Sequence, residues 1–136
     1  MTVENAWTLD DEVKIDGVGY NPQGTLSGKI EPLLFGIGVV CNNASLYKKN
    51  NLWAISGDPT EAALIVSSKK ANVNYKYERI DELPFDSNRK LMSVLIKKEN
   101  KLYTYTKGAP DQILNACSHA MHNGKVTKLT PELKKT

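Results

Sequence analysis

Three short segments of the sequence carry side chains suited to holding a nucleotide: residues 57–64, 84–94 and 107–111. They supply a carboxylate near a helix start, an aromatic ring ahead of a basic turn, and a lysine followed by glycine. The ring can stack on a base, the ammonium can meet phosphates, and the carboxylate can accept a hydrogen bond from an exocyclic amine. Together the three segments predict a site for a purine nucleotide, with a preference for adenine over guanine.

Each segment also has a purely structural interpretation. Glu61 can complete a capping box with Asp58, Phe85 can be a core aromatic, and Lys107 can end a strand that turns into a helix. The sequence contains no G-x-x-x-x-G-K-[ST] loop, so the usual phosphate-cradling motif is absent. It is the combination of the three segments that favours the nucleotide site.

The three segments, in this order and at these separations, resemble the cytoplasmic nucleotide-binding domain of P-type cation-transporting ATPases, and most closely the calcium-pump-like branch. The resemblance covers nearly all of residues 1–136. It implies that Phe85 stacks on the adenine, that Glu61 lies near the adenine pocket, and that Lys90 and Lys107 are pocket lysines.

The resemblance extends to the neighbours of these residues. It places Gly108 and Ala109 beneath the base and Met92 in the pocket wall. Some calcium pumps carry a phosphate-binding arginine two residues after the phenylalanine. Here that position is Ser87, so the resemblance leaves Arg89 as the substitute.

The resemblance implies ATP binding, as Mg-ATP, with the Mg²⁺ carried on the phosphates. The γ-phosphate would be presented to an aspartate of the pump's phosphorylation domain, whose Asp-Lys-Thr-Gly-Thr motif does not occur in this sequence. The expected partners are therefore an adenine nucleotide and the phosphorylation and actuator domains of the same pump. The full pump would be an ATP-driven ion translocase, and this part of it a cytoplasmic domain of an integral membrane protein that binds ATP without hydrolysing it.

Two other functions remain open at this point. Cys117, His119 and His122 form a C-x-H-x-x-H cluster, but no fourth metal ligand is evident, and histidines also suit the C-terminal end of a helix. A lysine-rich surface could instead make the domain an interaction module for an acidic partner or a membrane face.

Composition excludes several other classes. Only Arg79 and Arg89 among the 18 basic residues are arginines, which argues against specific nucleic-acid recognition. The longest uncharged apolar run, residues 33–41, is far shorter than the roughly 20 residues that a membrane span needs. Cys41 and Cys117 do not make a disulfide framework, so we expect both to be reduced.

The elements that must position these residues follow from periodicity and turn chemistry. Residues 2–28 mix short β-prone runs with turn residues and predict an irregular arm. Apolar spacing predicts a helix over residues 30–46, and Asp58-Pro59 predicts the start of a second helix.

The second half of the chain is predicted to begin with strands. These are residues 75–85, followed by residues 91–97 and 102–107 as an antiparallel hairpin. A third helix starts at Pro110, and a short strand follows Gly124. A further helix opens at Thr130 close to the last residue, so we expect a domain truncated at its C-terminal end. This order predicts an α+β fold, an antiparallel β-sheet flanked by helices.

Overall fold

The computed structural model describes residues 1–17 and 19–135; Val18, in the predicted N-terminal arm, and Thr136 lie outside the described residues. The elements follow one another as β1 (Asn5–Trp7), β2 (Glu12–Ile15), β3 (Leu26–Ser27), α1 (Pro32–Val40), β4 (Ser45–Lys49), β5 (Leu52–Ser56), α2 (Pro59–Lys70), β6 (Glu78–Asp86), β7 (Leu91–Lys98), β8 (Lys101–Gly108), α3 (Pro110–Ala116), β9 (His119–His122), β10 (Lys125–Lys128) and α4 (Pro131–Lys134).

Every strand pair in the described ranges is antiparallel, which confirms the predicted α+β class. The strands form four small sheets instead of one: β1-β2-β3, β4-β5, β6-β7-β8 and β9-β10. None of the helices in these ranges is long and apolar enough to cross a bilayer.

Local capping chemistry sets the start of α2 as predicted. The Asp58 side chain accepts a hydrogen bond from the Thr60 backbone N–H at 2.7 Å, and Pro59 occupies the first helical position. The Asp58 carboxylate satisfies one of the unpaired N–H groups of the first helical turn, and Pro59 has no N–H group that would need a partner. This helix start is the one that faces the candidate site.

The predicted extension of α1 to residue 46 is wrong, because the helix ends at Val40. The Asn42 amide then donates to the Gly38 carbonyl at 3.0 Å and to the Glu61 carbonyl at 2.7 Å. These bonds tie the chain to α2 and turn it into the β4–β5 hairpin. Apolar spacing alone had continued the helix into the first two residues of β4.

The β7–β8 hairpin is confirmed, and so is the short strand after Gly124, which is β10; its partner β9 was not predicted. Because α3 ends at Ala116 and His119 begins β9, the histidines do not sit at a helix C-terminus, and that interpretation of them is wrong.

The larger core cluster lies between the β6-β7-β8 sheet and α1. Alternate residues of β7, namely Met92, Val94 and Ile96, are buried against Val40 and Cys41 at the end of α1. A separate bond from Ser68 Oγ to the Phe35 carbonyl, at 2.6 Å, joins α2 to α1. The core therefore fixes α2 relative to β7 and β8, whose ends form the candidate site.

Candidate functional site

A cleft of about 560 Å³ lies between the N-terminal end of α2, the end of β6 and the paired ends of β7 and β8. This volume is in the usual range for small-molecule pockets, roughly 300–1,000 Å³. Five of the residues predicted from the sequence line it: Glu61, Phe85, Met92, Lys107 and Gly108. Residues far apart in the chain thus meet in one cavity, which could hold a base.

Phe85 presents an aromatic face at this cleft. The residue is 62% exposed, so the interpretation of Phe85 as a core residue is wrong. The register of the β6–β7 pair shifts between Leu83 and Asp86, which places Pro84 and Phe85 outside the regular ladder. An exposed ring on a cavity wall is available for stacking on a planar ligand.

Lys107 crosses the cleft to α2. It lies opposite Met92 in the β7–β8 ladder, so the two side chains share one face of the sheet. Its Nζ atom lies 2.7 Å from Glu61 Oε2, and the two side chains are 24% and 19% exposed. The Glu61 carboxylate also accepts from the Asn43 backbone N–H at 3.2 Å. The acid and the lysine therefore form one partly buried ion pair on the cleft wall.

Two polar residues of the wall, Asn43 and Glu82, lie outside the three predicted segments and were missed by sequence reasoning. Asn43 donates to Glu82 at 2.6 Å, and Arg79 contacts both side chains at 2.8 Å while donating to the Asn42 carbonyl at 2.9 Å. Asn43 had been placed inside a helix. Glu82 belongs to no motif. The only sequence features that could have pointed to it as a site residue are Arg79, three residues before it, and Phe85, three residues after it.

Gly108 has a structural reason to be glycine besides access to a ligand. A Cβ at this position would collide with the Lys90 carbonyl oxygen and would lie 2.7 Å from Leu91 Cδ2 and 2.9 Å from Leu91 Cα. The Ala109 N–H also donates to that Lys90 carbonyl, at 3.1 Å. Ala109 is the N-cap of α3 and half-buried. The missing side chain therefore makes room for the turn before β7.

Ser87, Arg89 and Lys90 belong to that turn and are not among the described residues that line the cleft. Arg89 donates to the Leu91 carbonyl at 2.9 Å and to Ser93 Oγ at 3.3 Å. Since successive side chains of a strand point to opposite faces, the guanidinium lies across the sheet from Met92. Lys90 is exposed, with a φ of 60°.

The Cys117, His119 and His122 cluster does not converge. In the described part of the chain, no group of three or more His, Cys, Asp or Glu side chains could hold a metal ion. His119 Nδ1 lies 2.8 Å from Ser118 Oγ, and His122 Nδ1 lies 2.9 Å from Asp10 Oδ1. The geometry gives the metal-site alternative no support.

Among the groups with shifted pKa values are one cysteine and one aspartate outside the Glu61–Lys107 ion pair. Burial raises the pKa of the Cys41 thiol, which donates to the Met92 carbonyl at 3.4 Å. The Asn123 backbone N–H, 2.8 Å from Asp10 Oδ1, holds the pKa of Asp10 below its ordinary value, and Lys29 lowers it further. Asp10 thereby ties the β9–β10 hairpin to the N-terminal arm.

Comparison with known proteins agrees with the motifs. Residues 32–136 match the family model described as P-type ATPase, cytoplasmic domain N. The calcium-transporting ATPase of Bacillus subtilis is 32% identical over an alignment of 150 residues. The alignment covers 98% of this chain and 17% of that protein. Calcium-transporting ATPase 1 of Bacillus cereus is 40% identical over 135 residues, which cover 96% of this chain and 14% of that protein. Calcium-transporting ATPase 1 of Lactococcus lactis is 41% identical over 109 residues, which cover 76% of this chain and 12% of that protein. The chain thus spans between 12% and 17% of the length of these curated relatives. On this evidence, the chain belongs to the P-type ATPase cytoplasmic N-domain family.

Proposed function

We propose that this domain binds ATP in the cleft, as the cytoplasmic nucleotide-binding domain of a calcium-transporting P-type ATPase. The observation that carries the proposal is the exposed Phe85 ring, which shares one cavity with Glu61, Lys107 and Gly108. Three motifs that are separate in sequence meet there, as a base-binding site requires. The relatives named above are calcium-transporting ATPases, which supports calcium as the transported ion.

The residues divide between the base and the phosphate end of the nucleotide. Phe85 stacks on the adenine, Met92 forms the floor beside it, and Glu61 accepts from the exocyclic amine. The carbonyl oxygen of Lys90 accepts a hydrogen bond from the Ala109 N–H, which holds Lys90 beside Gly108 at the cleft. Its side chain is exposed there and suits a contact with phosphates that extend out of the cleft. Ser87 and Arg89 lie farther along the same turn, and we assign them to the phosphate end together with Lys90.

The chemistry itself would take place elsewhere. The domain would hold the base while the γ-phosphate reaches an aspartate of the phosphorylation domain, with the actuator domain as the other partner in the pump. Mg²⁺ would travel on the phosphates and offset their charge. We therefore expect the domain alone to bind ATP and to release no phosphate from it.

Calorimetric titration of Phe85→Ala tests the proposal. Stacking on an aromatic side chain is worth about 1–3 kcal/mol, so ATP affinity should fall by about 5- to 150-fold. The matched control is Leu102→Ala, which truncates a residue that is 64% exposed at the far end of β8. This control should bind ATP with the affinity of the wild type. In the wild type and in both variants, GTP should bind more weakly than ATP.

Because Phe85 is mostly exposed, the variant should keep the wild-type circular dichroism spectrum. Equal ATP affinity in Phe85→Ala and the wild type would refute the proposed site. Absence of ATP binding by the wild-type domain would favour the interaction-module alternative.

A further inference from the structure

Arg89 is held against the face of the β6-β7-β8 sheet that lies away from the cleft. Its guanidinium donates to the Leu91 carbonyl at 2.9 Å and to Ser93 Oγ at 3.3 Å. Ser93 Oγ in turn lies 2.8 Å from Thr106 Oγ1, opposite it on strand β8. The cleft residue Lys107 directly follows Thr106 and therefore faces the other way. The Arg89 side chain is thus anchored to both strands of the β7–β8 hairpin, across the sheet from a ligand in the cleft.

The anchor of Arg89 does not include an ion pair. In the part of the chain that the structure describes, its guanidinium forms no salt bridge with a carboxylate, and its Nε atom is buried without a hydrogen-bond partner. A half-buried charge and a buried donor that lack partners lower the stability of the fold. Stability alone therefore does not account for an arginine at this position.

The next residue, Lys90, has an unfavourable backbone conformation. Its φ of 60° lies in the left-handed region, which residues other than glycine and asparagine rarely adopt. The conformation is fixed from both sides, because the Lys90 N–H donates to the Asp86 carbonyl and the Lys90 carbonyl accepts from the Ala109 N–H. Glycine would fit this backbone with less strain. Strained residues are typical of functional sites, and this exposed lysine lies beside Gly108, which lines the cleft.

We propose that Arg89 is a positioning residue: it anchors the turn of residues 86–90 to the sheet and so holds Lys90 where the phosphates extend out of the cleft. This inference rests on the proposed function and specifies how Arg89 serves the phosphate end. Lysine has a long, flexible stem, and fixing the backbone from which the stem starts reduces the conformational freedom that phosphate binding must remove. The guanidinium acts through Lys90 and makes no contact with the ligand.

A double-mutant cycle on Arg89 and Lys90 tests this inference, by calorimetric titration with Mg-ATP and with adenosine, which lacks the phosphates. Lys90→Ala should weaken Mg-ATP binding about tenfold, as expected for a lost charge-assisted hydrogen bond. Arg89→Ala should weaken it about three- to fivefold, because the ammonium group is still present but must be ordered on binding. In the Lys90→Ala background, Arg89→Ala should have no further effect, since the residue through which it acts is gone. Adenosine should bind all three variants with wild-type affinity, which also shows that they are folded.

Independent effects of the two residues would overturn the inference. If the double variant loses the product of the two single losses, about 30- to 50-fold, Arg89 contacts the phosphates itself. Arg89→Lys gives a second measurement, because lysine keeps the charge but lacks the planar fork that bonds to Leu91 and Ser93. Its loss of Mg-ATP affinity should equal that of Arg89→Ala, and full wild-type affinity would show that the charge alone matters.

The anchor can also be weakened without changing a charged residue. Thr106→Val removes the hydroxyl group beside Ser93 and keeps the size of the side chain. Mg-ATP affinity should fall about twofold, as expected for a partly loosened hydrogen bond, and adenosine affinity should not change. The matched control is Thr104→Val, on the same face of β8 opposite Leu95, which should bind both ligands like the wild type. Equal Mg-ATP affinities of the two valine variants would contradict the proposed anchor.

The outcomes separate the two proposals. If Phe85→Ala leaves the affinities for Mg-ATP and adenosine unchanged, the proposed function fails. If Phe85→Ala weakens both ligands, but Arg89 and Lys90 contribute independently or not at all, the proposed function stands and only this inference is overturned.

Discussion

Substituting Gly108 by alanine should destabilise the fold at the edge of the candidate site. The new methyl group would point toward the Lys90 carbonyl oxygen and would lie 2.9 Å from Leu91 Cα. Both are backbone atoms, so no side-chain rotation can relieve the collision. The end of β8 must move away from the turn before β7.

The cost can be estimated from the contacts that this movement disturbs. Overpacking of a well-packed position costs about 1–3 kcal/mol. Moving β8 also stretches the Ala109 N–H bond to the Lys90 carbonyl, 3.1 Å in length, and a lost hydrogen bond adds about 1 kcal/mol. We therefore expect Gly108→Ala to lower the free energy of unfolding by about 2–4 kcal/mol.

Urea denaturation followed by circular dichroism measures this loss. With a slope of about 2 kcal/mol per molar urea, the midpoint should fall by about 1–2 M. Gly38→Ala, in the middle of α1, is the control, since the nearest atom to its Cβ would be Leu64 Cβ at an ordinary 3.6 Å. That variant should gain about 0.5–1 kcal/mol from helix propensity. A Gly108→Ala domain as stable as the wild type would refute the reasoning.

The two cysteines should differ sharply in reactivity under native conditions. A thiol reagent such as iodoacetamide should label the exposed Cys117 quickly, whereas the buried Cys41, whose pKa is raised by burial, should react only on unfolding; rapid double labelling seen by mass spectrometry would contradict this. The depressed pKa of Asp10 means that its stabilising contribution is present at neutral pH and is lost as the pH falls below about 4. The difference in thermal midpoint between wild type and Asp10→Asn should therefore shrink on acidification, and a constant difference from pH 7 to pH 3 would disprove the tether between Asp10 and Asn123.

Elements defined by local chemistry could be predicted from the sequence. The start of α2 depends on Asp58 and Pro59, which act on the backbone beside them. The end of α1 depends on a hydrogen bond from the Asn42 side chain to the Glu61 carbonyl, 19 residues away. No local sequence pattern predicts that bond. The turn of the missed β4–β5 hairpin did leave a local sign: Asn50 and Asn51 both adopt positive φ, 52° and 63°, as a two-residue hairpin turn requires.

The candidate site divides in the same way. Residue types indicated an aromatic, a carboxylate and a lysine, and Phe85, Glu61 and Lys107 do share the cleft. Which basic side chain faces it depends on strand register: Lys107 shares a face with Met92, whereas Arg89 lies on the other side of the sheet. Sequence separation carries no information about that choice, because a shift of one residue reverses the face.

The register shift in β6 has a consequence for how such a site can diversify. Leu83 pairs with Ser93 and Asp86 with Leu91, so the ladder closes on both sides of Pro84 and Phe85 without depending on them. Their side chains can be exchanged without re-registering a single strand. Substitutions at these two positions could therefore change which base is preferred in related domains, while the strand pairing around the site stays the same.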